Sequence, residues 1–113
     1  MSDLESAIAA AKERLEALED QVGPITHRKM FGGAGLYARG AIFAVIVEGE
    51  LMLKADPKTA PDLAKAFEAA GAERWRYAGK SKPVAMPYWR LPEAALDDPE
   101  ETCAWARRSI AAL

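Results

Sequence analysis

The sequence predicts an α+β domain: an antiparallel sheet of five to six strands with helices packed mainly on one face, in the order α-β-β-β-(β)-α-β-β-α. Two observations carry this. Three segments repeat apolar residues every three or four positions, while the others are short β-branched and aromatic runs, so helical and extended periods alternate along the chain. The central extended runs are joined by very short turns, whereas a parallel pair needs a crossover of a dozen or more residues. Neighbouring strands must therefore run antiparallel, and the amphipathic helices bury their stripes against the sheet. At 113 residues the chain is expected to be one domain, residues 1–113, around one core.

Element by element, the spacing predicts a first helix from Ser2 to Val22. Ser2 caps it, Glu5 stands at capping-box distance, and Leu4, Ile8, Ala11, Leu15, Leu18 and Val22 form one stripe. Gly23-Pro24 ends it. Ile25 to Phe31 reads as a strand. Gly32-Gly33-Ala34-Gly35 follows as a turn or bulge. Leu36 to Ala38, Ala41 to Val47 and Leu51 to Lys54 are strands, joined by turns at Arg39-Gly40 and Glu48-Gly49-Glu50. Asp56-Pro57 opens a second helix that Gly71 ends. Arg74 to Tyr77 and Val84 to Trp89 are two more strands, linked by Gly79-Lys80-Ser81-Lys82-Pro83. Pro87 lacks an N–H, so its strand is an edge or carries a bulge there. Asp98-Pro99 opens the last helix, with Cys103, Ala106, Ile110 and Leu113 on one face.

Charge narrows the function. The net charge is −2, too small for a global field that would drive binding to nucleic acid or to an acidic membrane. The distribution is uneven. Gln21 to Val47 and Arg74 to Pro92 contain bases but no acids, whereas the helical segments are mostly acidic. A sheet built from the extended segments would carry the positive side of the domain. One cysteine, Cys103, excludes an internal disulfide. The apolar runs are too short to span a bilayer, and the acidic start is unlike a secretory signal, so the expected location is the cytoplasm.

Catalytic and metal chemistry find little to work with. His27 is the single histidine and lies far in sequence from Cys103, so neither a zinc site nor a nucleophile–histidine pair is indicated. Cys103 on an apolar helix face reads as a small buried hydrophobe. No catalytic residue, cofactor or metal is expected, and the chain is not expected to be an enzyme. Two basic patterns remain. Arg28 and Lys29 precede Gly32, Gly33 and Gly35, where backbone N–H groups could converge on an anion. No phosphate-loop ending follows, and a glycine bulge that lets the sheet bend is the favoured alternative. Arg74, Trp75, Arg76, Tyr77, Lys80, Lys82, Tyr88, Trp89 and Arg90 interleave cations with aromatics, as a single-stranded nucleic-acid surface does. Strand alternation puts Arg74 and Arg76 on one face and Trp75 and Tyr77 on the other, which makes the aromatics core and the arginines a solvated face. The stripe of the first helix could also pair with a second copy, although packing on the sheet is its main expected use, and the strand Ala41 to Val47 is apolar on both faces, as if something covers both, so a homodimer is expected.

Four stretches together resemble a known family. They are Arg28 to Tyr37 with its K-M-F-G-G pattern, Phe43-Ala44 leading to Leu51 to Asp56, Gly79 to Pro92 with its P-Y-W-R-L-P pattern, and Asp97 to Glu100 before Trp105-Ala106. They are similar to the N-terminal domain of the TfoX/Sxy proteins, bacterial regulators of competence genes. The resemblance spans almost the whole chain and implies an α+β domain in the bacterial cytoplasm. It also implies a regulatory role alongside a transcription activator, and it brings no catalytic residues. Full-length members add a helical C-terminal domain, so the chain reads as the first domain alone. The expected function is regulation by protein contact. The candidate surface is Arg28, Lys29, Gly32, Gly33 and Gly35 with Lys80, Lys82 and Arg90. Direct nucleic-acid binding, or small-anion binding at the glycine-rich turn, are the alternatives.

Overall fold

Among the described residues, six strands form one antiparallel sheet: β1 (Ile25–Met30), β2 (Gly33–Ala38), β3 (Ala41–Val47), β4 (Glu50–Lys54), β5 (Arg74–Ala78) and β6 (Pro83–Arg90). Their order is β1-β2-β3-β4-β6-β5. The helices are α1 (Asp3–Arg14), α2 (Glu19–Val22), α3 (Pro61–Ala69) and α4 (Pro99–Ala111), with 3-10 turns at Glu16–Leu18 and Glu93–Ala95. This computed structural model describes residues 2–30, 32–78 and 81–113. Phe31, Gly79 and Lys80 lie outside the described residues.

The turns explain the meander. Arg39-Gly40 and Glu48-Gly49 each place both residues at positive φ, the backbone of a two-residue turn whose twist suits antiparallel strands. β4 therefore starts at Glu50, inside the segment expected as turn. The glycine segment is also mostly strand. β2 begins at Gly33, because Gly33 to Ala38 pairs in register with Met30 back to Ile25.

Two helices differ from expectation for local reasons. The first apolar stripe is buried at Ile8, Ala11, Leu15, Leu18 and Val22, as its spacing requires. The helix itself breaks after Arg14. The Arg14 carbonyl accepts from Cys103 Sγ at 3.2 Å, and the Leu18 N–H turns to the Leu15 carbonyl instead. The second helix starts at Pro61 rather than Pro57. Asp56 closes a separate turn by accepting from the Lys58 N–H at 2.9 Å, and Pro61 supplies the preset first helical residue. Gly71, at φ +80°, ends it as expected. The Ala72 N–H reaches back to the Phe67 carbonyl and the Gly71 N–H to that of Glu68, so these two carbonyls of the last turn are satisfied.

All the helices cover the same sheet face. The main core joins Ile8, Leu15 and Leu18, Leu63 and Phe67, and Cys103, Ala106 and Ile110 to Leu36, Phe43, Ala44, Ile46, Leu53 and Trp89. Phe67 stacks on Trp105 at 4.5 Å and on Trp89 at 5.9 Å between ring centroids. The Trp89 Nε1–H donates to the buried Ala55 carbonyl at 2.9 Å, so its polar atom costs little to bury. No helix among the described residues is long and apolar enough to cross a membrane.

Candidate functional site

The other face of the sheet carries a second, smaller apolar cluster made of strand residues only. Val45, Met52 and Tyr88 are buried at its centre, with Ile42, Val47, Trp75 and Met86 around them. Register explains the grouping. Val45 pairs with Met52, and Tyr88 with Lys54, one step out of phase with the Leu36, Ala44 and Leu53 set that faces the helices. Long neighbouring side chains, rather than a covering layer, bury the centre. Tyr37 belongs to this side, with the Arg28 guanidinium 5.9 Å from its ring centroid. The Tyr88 hydroxyl is pushed above its ordinary pKa, first by burial and then by Tyr37 nearby.

The cluster runs out along an arm. β4 pairs only with the last residues of β6, Tyr88 to Arg90, so the Pro83 to Ala85 part of β6 has β5 alone beside it. Tyr77 and Val84 face each other across this two-stranded ribbon and are 58% and 51% exposed. Trp75 links the arm to the cluster, edge-on to Tyr77 at 6.4 Å and tilted on Tyr88 at 6.2 Å. The expectation that the aromatics of β5 are core holds in part for Trp75, which is half-buried against the second cluster, and is corrected for Tyr77. Alternation places them together, but β5 is the outermost strand, and their shared side is the face without helices. Arg74, expected on a solvated face, is half-buried over the Trp89 ring. Pro87 lies in β6 next to the register shift of the β5–β6 pair, so the bulge, not an edge, accommodates it.

The structure does not gather the residues expected as one surface. Adjacent in a strand, Arg28 and Lys29 point to opposite faces. Arg28 lies on the open side with Tyr37, and Lys29 reaches Glu5 of α1 at 3.8 Å on the helix side. Gly33 and Gly35 act as spacers. A Cβ on Gly33 would collide with the Ile46 carbonyl, and one on Gly35 would stand 2.8 Å from Ile42 Cδ1 and 2.9 Å from Met30 Cε. Gly32, at φ +77°, turns the chain between β1 and β2. Lys82 is exposed beside the β5–β6 loop, at the diagonally opposite corner of the sheet. Four strand steps, on the order of 20 Å, separate β1 from β6. Arg90 shares the end of the glycine-rich turn, but Glu50 holds it at 2.9 Å. Lys80 lies outside the described residues.

His27 is exposed on β1, its Nδ1 3.4 Å from Lys12 Nζ. Cys103 is buried in α4, and burial raises its thiol pKa against the lowering effect of Arg107 and Arg14. No group of three or more metal-ligating side chains occurs among the described residues. The stripe of the first helix is spent on the core, so it is not free to pair with a second copy. The sequence reading left Tyr37 and Val84 out of the candidate surface and assigned Tyr77 to the core. Part of the signal was present, since Tyr77 shares its strand phase with Trp75 and Val84 with Met86.

Comparison with known proteins places this architecture. Residues 16–113 match the model of the TfoX N-terminal domain. The chain is also similar to the DNA transformation protein TfoX1 of Aliivibrio fischeri, 27% identical over 82 residues. That similarity covers 73% of this chain and 37% of the relative, so the chain spans well under half the relative's length.

Proposed function

This chain belongs to the TfoX N-terminal domain family, and we propose that it is a small bacterial regulatory protein acting by protein contact rather than catalysis. Its partner surface is the open sheet face with its protruding arm. The observation that carries this reading is the apolar continuity from Met52 and Tyr88 through Trp75 to exposed Tyr77 and Val84. An amphipathic contact of this kind, with tyrosine and tryptophan at its centre, is what protein interfaces concentrate. The occupant is a protein partner whose own contact surface is apolar and rimmed by carboxylates. Arg28 and Lys54 border the patch, and neither has an acidic side chain within ion-pair distance among the described residues. The setting is transcription regulation in the cytoplasm, and by likeness to a relative named as a DNA transformation protein, the process is DNA transformation.

The test compares wild type with Tyr77→Ser, Val84→Ser as bait in nuclease-treated extract of the encoding cell. A specific protein held by wild type and lost by a variant of unchanged melting temperature is the expected result. Loss of recovery on nuclease treatment would transfer the surface to nucleic acid. A wild-type dimer in sedimentation that the double variant abolishes would instead make a second copy the occupant.

A further inference from the structure

The β5 edge carries a second surface of different chemistry. β5 ends the sheet, so one side of its backbone has no strand partner among the described residues. On the helix side, α3 stands off from β5 and leaves a cleft of about 630 Å3. Lys65, Arg74 and Arg76 line it against one carboxylate, Glu68, with Trp89 at the floor. Arg74 is fixed in place, its Nε–H donating to the Met86 carbonyl at 2.7 Å. Arg76 and Lys65 are exposed, and neither has a carboxylate within ion-pair distance among the described residues. The opposite edge differs. On β1, Lys29 pairs with Glu5, His27 meets Lys12 and Arg28 lies over Tyr37, so its basic side chains all have neighbours within the chain.

We propose that the β5 edge takes an extended acidic segment of another protein as a seventh strand, with carboxylates at alternate positions directed into the cleft. Same-face side chains of a strand recur at about 6.6–6.8 Å. Arg74 and Arg76 are two residues apart on the cleft side of β5, so acids at alternate positions of a paired strand match them. The intervening side chains fall on the open face beside Trp75 and Tyr77, which favours apolar residues there. Backbone pairing supplies affinity and the cations supply selectivity. A second copy of this chain fits poorly. Its β5 would set arginines against arginines, and its β1 contains no acid. Single-stranded nucleic acid fits the cleft poorly as well, because Trp89 at its floor is only 4% exposed and the edge amides would stay unpaired. The apolar positions of the segment share the Tyr77 side of β5 with the open face, whereas the cleft cations and the edge amides are separate from it, and charge reversal and N-methylation read these alone.

The experiment uses the full chain and a labelled peptide alternating glutamate with valine, read by fluorescence anisotropy. Two controls accompany it: the same peptide with lysine for glutamate, and the glutamate peptide N-methylated at alternate amides. Saturable binding is expected for the unmodified glutamate peptide alone, weakening as salt rises. Arg76→Glu with Lys65→Glu, both exposed sites, should keep the melting temperature, weaken glutamate-peptide binding by about tenfold or more and gain the lysine peptide. Slowed amide exchange across Arg74 to Ala78 on binding completes the expected result. Absence of saturable binding, equal binding of the N-methylated peptide, or indifference to the charge reversal would each overturn the proposal. An oligonucleotide that binds wild type and not the reversed variant, with the peptide inert, would also overturn it and assign the cleft to phosphates.

Discussion

The two faces of the sheet are cut from the same strands and solve opposite problems. On the covered face, Leu36, Phe43, Ala44 and Leu53 are fully excluded from water, with Ile46 nearly so, because helices close over them. On the open face, Val45, Met52 and Tyr88 are nearly as buried, but only because Ile42, Trp75 and Met86 lean across them. One face is finished by the chain itself. The other tapers into Tyr77 and Val84, which nothing among the described residues covers. Burial of single residues therefore does not tell which face awaits a partner. The gradient of exposure along the face does.

The largest effect should separate the faces outright. Phe67→Ala removes the ring that stacks on Trp89 and Trp105 and should cost roughly 3–5 kcal/mol. Tyr77→Ser should stay within about 0.5 kcal/mol. Urea denaturation measures both, and equal costs would break the distinction. Two glycines sharpen it at smaller scale. Gly33→Ala drives a Cβ into the Ile46 carbonyl, a backbone atom that cannot yield, and should cost about 1–3 kcal/mol. Gly35→Ala meets the ends of Ile42 and Met30, which can turn aside, and the edge of the Tyr37 ring at 3.2 Å, side-chain atoms throughout, and should cost less than Gly33→Ala, about 1 kcal/mol.

Alkali gives a third comparison. Cys103 on the covered face and Tyr88 on the open one both have raised pKa values, each chiefly through burial. Both are neutral when protonated, so the unfolded chain releases these protons first as pH rises. The stability tied to each is complete below its ordinary pKa, 9.0 for the thiol and 10.0 for the phenol, and is lost as pH climbs through the folded value. Stability followed by urea titration should start to fall near the thiol's range and steepen near the phenol's. Cys103→Ala should remove the earlier phase and Tyr88→Phe the later. A small effect is expected for Arg28→Ala, whose exposed contact with the Tyr37 ring is worth about 0.5–1 kcal/mol, read by the same urea denaturation.

Much of this fold was legible in the sequence. The tight turns at Gly40 and Gly49 fix the meander, and alternation through Ala41 to Val47 shows a strand apolar on both sides. The break after Arg14 was not legible, because Cys103, far along the chain, takes the carbonyl that the helix would have used. The start of α3 at Pro61 was hidden behind an equally good proline at position 57. The candidate surface suffered most. Alternation alone puts Arg28 and Lys29 on opposite faces, so their pairing as one surface was already excluded. It also groups Trp75 with Tyr77. Which face they share depends on β6 lying between β4 and β5, a long-range fact that no local pattern encodes.

The most direct test of the open face as the partner surface is site-specific photocrosslinking in the encoding cell. A photoreactive phenylalanine analogue is placed at Tyr77 on the open face or at Glu101 on exposed α4. The account predicts a discrete protein adduct from position 77 and none from position 101. An adduct from position 101 alone, or nucleic acid captured at position 77, would contradict it.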